Sequence, residues 1–354
     1  AIAGADAGNY SITSSLTDPI GETPRASVTL DGVLALTKIY DGTVNLTLDN
    51  GGTVVAGTLL TDDLGVDSAA STASFPSANV GTYLVTPRGY VRTGVHAGNY
   101  VLIQPTGISA VIDPKSLTAS IINNPAKIYD GATASILTGG NFQIDGFIAG
   151  ESAAVTQTVG TYDSKNAGGR TVTANLGAGD FTADSGTLLS NYNLATSASG
   201  GGTIKQKALT AAIIGDPTKT YDGTRATVLT GGNYELTGFI AGEGATVTQA
   251  SGQYDSPNAG SRTVVATLGS SDFTADTGTL LANYSLPVLA TGAGTITPKA
   301  LITAIINNPS KIYDGGVAAF LNSGNYQLLG VVTGDNGTGG QSDGLYNSPE
   351  AGPP

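Results

Sequence analysis

Short stretches in which apolar and polar residues alternate recur along the whole chain. In Arg170-Thr171-Val172-Thr173-Ala174-Asn175-Leu176 every second side chain is apolar from Val172 on, and Arg262–Leu268 repeats the arrangement. A period of two is what a half-buried β-strand requires, because successive side chains leave opposite faces. Phe142 with Ile144, and Tyr192 with Leu194, show the same spacing. Between these runs stand Gly139-Gly140-Asn141, Gly231-Gly232-Asn233 and several Asp-Gly pairs, all turn formers. Helical periodicity is nowhere sustained. The pattern predicts an all-β fold with six to eight short strands per domain, as in a sandwich or barrel.

The strands belong to a repeat. The phrase Lys127-Ile128-Tyr129-Asp130-Gly131 returns at Lys38–Gly42, at Lys219–Gly223 with Thr220 in place of Ile, and at Lys311–Gly315. The intervals between the four lysines are 89, 92 and 92 residues, a period long enough for each unit to bury its own core. Boundaries are expected at Thr23-Pro24-Arg25, Asp113-Pro114-Lys115, Lys205-Gln206-Lys207 and Thr297-Pro298-Lys299. These give three complete modules, 24–113, 114–205 and 206–297. Residues 1–23 read as the late part of a preceding module, since Ala7-Gly8-Asn9-Tyr10 matches Ala97-Gly98-Asn99-Tyr100, Ser190-Asn191-Tyr192 and Ala282-Asn283-Tyr284. Residues 298–354 read as the early part of a further module. The junctions lack a Gly/Ser tract, so one strand should lead almost directly into the next and produce an elongated rod.

Composition narrows the chemistry. Cys, Met and Trp are absent, so no disulfide holds a module and no thiol can act as nucleophile or metal ligand. Fifteen basic against 27 acidic residues leave a net charge of −12, which excludes a basic surface for nucleic acid and a polybasic membrane anchor. No apolar run approaches the roughly 20 residues of a spanning helix, so membrane insertion is not expected. Few charges, abundant Gly, Ser, Thr and Asn, and no oxidation-prone sulfur fit life outside the cell.

The repeated loop supplies the candidate residues: Lys38, Tyr40, Asp41 and Gly42; Lys127, Tyr129, Asp130 and Gly131; Lys219, Tyr221, Asp222 and Gly223; Lys311, Tyr313, Asp314 and Gly315. A cation, a phenol and a carboxylate side by side could bind a ligand, yet four copies argue for a structural duty. Asp can bond nearby backbone N–H groups, Gly can take positive φ, and Tyr129, Tyr221 and Tyr313 are expected to be largely buried beside their own sheets. A second phrase, Asn79-Val80-Gly81-Thr82-Tyr83, resembles the tyrosine corner of immunoglobulin-like domains, with Arg170 and Arg262 standing where Tyr83 stands. Asn79, Asn166 and Asn258 follow the loop lysines by 39 to 41 residues, which makes a Lys–Asn isopeptide crosslink conceivable beside the simpler reading of a turn into a late strand.

No cofactor or catalytic motif is present. His96 stands alone, and Asp62-Asp63-Leu64-Gly65-Val66-Asp67 lacks the alternating ligands and closing Glu of a calcium loop. No phosphate loop or His-containing triad can be assembled, so an enzyme is not expected.

The phrases Lys-Ile-Tyr-Asp-Gly, Asn-Ala-Gly-x-Arg-Thr-Val and Asn-Tyr-x-Leu…Gly-Thr-Ile-x-x-Lys-Ala-Leu resemble the YDG-type repeats of large bacterial secreted proteins, among them filamentous-haemagglutinin-like adhesins. The resemblance implies tandem Ig-like antiparallel β-sandwich modules in the stalk or fibre of an adhesin or surface filament, extracellular or at the bacterial cell surface. It implies no catalytic residue and no ligand. Direct binding of a glycan or a host protein is the alternative. Two readings account for the partial modules. In the first, favoured one, the sequence is an excerpt of a longer array. In the second, residues 1–23 of one chain complete residues 298–354 of the next by strand addition, head to tail. The 23 and 57 residues then make 80 of the 92 in a module.

Overall fold

A computed structural model describes residues 2–13 and 21–352. Among them every extended element is a short strand, the helical ones are single 3-10 turns, and no sheet closes into a barrel. The chain forms two compact units. One comprises Ala1–Ile121, Thr138–Thr158 and Ala174–Ser199, the other Ile122–Leu137, Val159–Thr173 and Gly200–Pro354. Of the segment 1–23 read as a late module piece, residue 1 and residues 14–20 lie outside the described residues.

The second unit contains the third repeat whole, and this shows how the alternation becomes a fold. Strand Gly260–Thr267 runs antiparallel to Leu289–Thr297 through eight successive pairs, from Gly260 against Ile296 to Thr267 against Leu289. On its other side Ser251–Tyr254 is paired, followed by Ala226–Val228. Beyond Leu289–Thr297 lie Thr210–Ile213 and then Tyr234–Thr237. Val264, Ala266 and Ile296 point inward from the two long strands. Val247 and Phe273, from the separate pair Ala245–Val247 and Phe273–Ala275, close over them, with Leu229, Tyr234 and Tyr254 filling the same core. Burying a side chain of this class is worth roughly 1.5–3 kcal/mol. A few such residues can therefore hold a sandwich that has no disulfide.

The opening strand breaks in two. Gly215 and Asp216 take φ of 78° and 46°, so the chain swings at Pro217. Both Thr210–Ile213 and Thr218–Thr220 then run parallel to Leu289–Thr297. The bend passes so close to that strand that a Cβ on Gly292 would stand 1.9 Å from the Ile213 carbonyl oxygen. The Pro217 carbonyl accepts from the Tyr254 hydroxyl at 2.7 Å and from the Thr295 N–H at 3.0 Å, so the bend leaves no buried acceptor unpaired there. In the second repeat Asn123 and Asn124 take the positive φ values instead, and Ala126–Ile128 runs parallel to Thr203–Lys205. Each repeat has more and shorter strands than the six to eight expected, because bends and two-residue pairs interrupt what the alternation suggests are continuous runs.

The first unit holds the first repeat with the early and late strands of the second. Ile108–Asp113 pairs antiparallel with Gly81–Val85 and parallel with Lys38–Ile39. Thr118–Ile121 pairs antiparallel with Phe142–Asp145. Its core is continuous across the repeat boundary, since Tyr40, Phe75, Val85 and Ile112 pack in one cluster with Leu117 and Tyr192.

Close packing along the last strand can be tested at two adjacent glycines of Ser197–Lys205. A Cβ on Gly202 would meet Val172 Cγ2 at 2.4 Å and Tyr162 Cε1 at 2.9 Å, whereas one on Gly201 would meet nothing within 4 Å. Gly202→Ala should cost about 1–3 kcal/mol in urea unfolding of the whole chain. Gly201→Ala should be neutral or stabilising by up to ~1 kcal/mol. Equal effects at the two positions would show that the strand is not pressed as described.

Candidate functional site

The recurring loop divides its labour in two. Lysine and aspartate close the loop upon itself. Lys127 Nζ donates to Asp130 Oδ1 at 2.6 Å and to the Ala132 carbonyl at 2.7 Å, and lies 5.7 Å from the centre of the Tyr162 ring. Asp130 Oδ1 also accepts from the Ala132 N–H at 2.9 Å. Lys38, Lys219 and Lys311 do the same with Asp41, Asp222 and Asp314, each ammonium standing 5.5–5.7 Å from the ring of Phe75, Tyr254 or Tyr346. The carboxylates are half exposed, so the ion pair by itself is worth little. Its effect is to fix where the next residues point. The bond from the Lys219 ammonium, reinforced by the Thr224 N–H and hydroxyl, lowers the Asp222 carboxyl to about 2.

Tyrosine and glycine face the next repeat. Tyr129, only 1% exposed, donates from its hydroxyl to Glu243 Oε1 at 2.6 Å, 114 residues further along the chain. Tyr284 donates to the other oxygen of the same carboxylate at 2.7 Å and accepts from the Ile240 N–H at 3.2 Å. The two rings meet edge to face, 5.4 Å between centres. Gly131 has φ +78°, and a Cβ there would stand 2.6 Å from Ile240 Cδ1. Beside this clasp Asn283 accepts from the Ala167 N–H at 2.8 Å and donates to Asn166 Oδ1 at 3.2 Å. One carboxylate is thus held by a hydroxyl from each side of the boundary between the second and third repeats.

The boundary between the first and second repeats is built alike. Tyr40 and Tyr192 donate to the two oxygens of Glu151 at 2.5 and 2.8 Å, with their rings 5.3 Å apart. Gly42 faces Ile148 Cδ1 as Gly131 faces Ile240. Asn191 accepts from the Val80 N–H at 2.9 Å and donates to Asn79 Oδ1 at 3.0 Å. At the third boundary Tyr221 donates to Asp335 Oδ2 at 2.7 Å, and Gly223 lies against Val332. The fourth loop keeps its Lys311–Asp314 closure, but Tyr313 is 63% exposed and nothing approaches Gly315 within 4 Å.

Placing the tyrosines beside their own sheets therefore needs correction. Tyr40 and Tyr129 are buried against the next repeat, Tyr221 is half-buried, and Tyr313 is exposed. The ring is covered by its neighbour, so its burial depends on the repeat that comes after the loop. The crosslink reading also meets a different arrangement, since the lysine ammonium groups are engaged by aspartate and carbonyl oxygens while Asn79 and Asn166 pair with Asn191 and Asn283. At the corner, Tyr83 donates to the Asn79 carbonyl at 2.8 Å, and Arg170 and Arg262 reach the matching carbonyls of Asn166 and Asn258 at 2.8 and 2.7 Å through Nε. Arginine preserves the tyrosine's bond four residues back. The acidic partners Glu151, Glu243 and Asp335 escaped the sequence reading, although each ends a matching segment, Phe147–Glu151, Phe239–Glu243 and Val331–Asp335. That recurrence was the available signal.

The sequence profile of the YDG domain matches residues 23–108, 113–199 and 205–292. The chain belongs to the YDG domain family. A comparison with curated proteins returns no match. Among solved structures, the "Three N-terminal domains of the bacteriophage RB49 Highly Immunogenic Outer Capsid protein (Hoc)" align over 77% of this chain and 99% of that one. The identity is 11% and the TM-score 0.20, too low to carry a structural argument. No helix among the described residues is long and apolar enough to cross a membrane.

The two halves of the YDG loop can be separated by mutation. Gly131→Ala and Gly315→Ala incur the same strain at φ +78°, but only the methyl added at position 131 meets the next repeat. The excess loss of stability at position 131, read by urea unfolding, should be about 1–3 kcal/mol. Equal losses would remove the glycine's role at the boundary.

Alkaline and acid titration probe the two halves differently. Burial, then the bond to Glu243, raises Tyr129 from 10.0 to about 12. Unfolded tyrosine ionises first as pH rises, so this stability is complete below pH 10 and is lost between 10 and about 12. For Asp222 the sign reverses. Its contribution is present above 3.8 and lost as pH falls toward about 2. Urea midpoints measured across both windows should fall at each end. Tyr129→Phe should flatten the alkaline fall, and an unchanged alkaline limb would refute the assignment.

Proposed function

We propose that this YDG-repeat protein is an extracellular structural element of bacteria, forming the stalk or fibre of a filamentous-haemagglutinin-like adhesin or a surface filament. The observation that carries the reading is the junction clasp. Glu151 and Glu243 each receive one hydroxyl from the preceding repeat and one from their own, with an apolar contact at Gly42 or Gly131 beside them. Such contacts couple neighbouring repeats in series, and stability in repeat arrays is carried by such nearest-neighbour interfaces. An array coupled in this way resists bending at its joints. The chemistry of the loops is spent on these joints, which supports a role without catalysis. The absence of Cys and Met suits exposure to oxidants.

Small-angle scattering on the full chain tests the mechanical part. A compact domain of this length would have a radius of gyration of about 20 Å, and we expect a value well above it with a rod-like cross-section. The double variant Glu151→Ala, Glu243→Ala should bend at its joints and broaden the distance distribution. A compact wild-type profile would sink the proposal. Screening the full chain on a glycan array should give no specific binding, because a spacer needs none. Saturable binding to one glycan class would replace the stalk with a direct adhesive module.

A further inference from the structure

We propose that one edge strand of the repeat sheet, Ala134–Ile136 in the second repeat and Ala226–Val228 in the third, is a self-docking surface, and that its occupant is the same edge of a second copy of this chain, paired antiparallel. Both strands lie inside fully matched repeats, 113–199 and 205–292. In the third repeat Ala226–Val228 pairs with Ser251–Tyr254 alone, so its other side borders no described strand. The Leu229 N–H bonds to the Ala250 carbonyl, and the Tyr254 N–H to the Arg225 carbonyl. Backbone groups in an antiparallel pair alternate sides from one residue to the next. Arg225, Thr227 and Leu229 therefore face the sheet, while the N–H and C=O groups of Ala226 and Val228 face outward, where no described group bonds them. The second repeat matches, since the Tyr162 N–H bonds to the Thr133 carbonyl and leaves Ala134 and Ile136 facing outward.

The usual protection of an edge is missing here. Exposed edges are commonly guarded by charge, proline or a bulge. Thr133-Ala134-Ser135-Ile136-Leu137 has neither charge nor proline, and Ile136 is 88% exposed. Val228, its counterpart 92 residues on, is 82% exposed. The opposite edge of the third-repeat sheet, Tyr234–Thr237, by contrast carries the exposed Glu235. Beside the unguarded edge the outer face of the sheet is also open, as a trough of about 910 Å³ lined by Val228, Ser251, Gln253, Val265 and Thr267 among others.

The sequence of the edge selects the occupant. Turning a second copy about a two-fold axis at Thr227 sets Ala226 opposite Val228 of that copy, and Val228 opposite its Ala226. Each of these outward-facing pairs exchanges two backbone hydrogen bonds, four in all. Each branched side chain then lies beside a methyl group across the pair. The same operation at Ser135 sets Ala134 opposite Ile136. No like charges meet, because Arg225 falls opposite Leu229 and Lys219 is closed on Asp222. Strand addition of this kind takes its affinity from main-chain bonds and its selectivity from alternate side chains. One three-residue contact is far smaller than the roughly 1,000 Å² of a stable interface, so association is weak at one edge and gains from the edge's recurrence in the next repeat. The inference rests on the sheets and is independent of the stalk reading.

The test uses the full chain. Analytical ultracentrifugation up to about 0.5 mM should show a mass that rises with concentration. In the double variant Ile136→Lys, Val228→Lys, association should weaken about tenfold or more. Both changes fall on exposed side chains, so the urea midpoint should hold. The variant Ile136→Glu, Val228→Glu should likewise stay monomeric by itself. Mixed with the lysine variant it should associate, because the two side chains at position 228 lie diagonally across the pair and within reach of each other. High salt should undo that mixed complex. In the unaltered chain, hydrogen exchange at the Ala226 and Val228 amides should slow with concentration more than at Thr227, which is already in the ladder to Gly252. Monomers throughout the range would overturn the proposal. So would association untouched by the lysine changes, or lysine and glutamate variants that ignore each other.

Discussion

The constraint on which the junctions depend is the satisfaction of one carboxylate. Glu243 ends an apolar segment, Phe239-Ile240-Ala241-Gly242-Glu243, and the packing that buries Tyr129 and Tyr284 draws its charge toward the boundary. A partly buried carboxylate is well served by strong donors, and O–H···O⁻ bonds are among the strongest a side chain can offer. Two tyrosines supply them while contributing aromatic surface. The geometry forces the donors to come from both sides of a repeat boundary. Register depends on this arrangement, because sliding one repeat along another would leave a carboxylate with one donor or none.

The lysine–aspartate closure sets up that arrangement without contributing much energy of its own. Fixing Asp41, Asp130, Asp222 or Asp314 against an ammonium and a backbone N–H turns the chain, and the glycine next in sequence takes φ of 76–78°. The tyrosine one residue before the aspartate is then directed out of its own repeat. Glycine serves a second purpose at the boundary, since any Cβ there would occupy the space taken by Ile148, Ile240 or Val332. One short phrase thus combines a self-contained turn with a surface made for its neighbour.

The bend in the opening strand has a related logic. Splitting it at Pro217 lets one edge of the sheet serve the repeat's core while Thr218–Thr220 carries the loop to the boundary. The cost is a line of positions where only glycine fits, Gly292 and Gly294 in the third repeat and Gly202 in the second. Glycine at these positions answers a close approach of backbone or side chain, not the need for a flexible linker.

The class of fold, the period and the turn chemistry were legible in the residues alone. Alternation at Arg170–Leu176 and Arg262–Leu268 is a local property, and so is the demand of Lys-x-Tyr-Asp-Gly for a tight turn, which is why both could be read without coordinates. Where the tyrosines go was settled only by packing. Tyr40, Tyr129 and Tyr221 find partners 111 to 114 residues away, beyond any pattern confined to one repeat, and Tyr313, in an identical phrase, is left exposed. Likewise Arg170 and Arg262 replace a tyrosine by a chemistry that only the shared carbonyl target reveals. Local spacing dictates which backbone turns form. The burial of a side chain at a boundary depends on which surface is brought against it, and that is decided only when whole repeats pack.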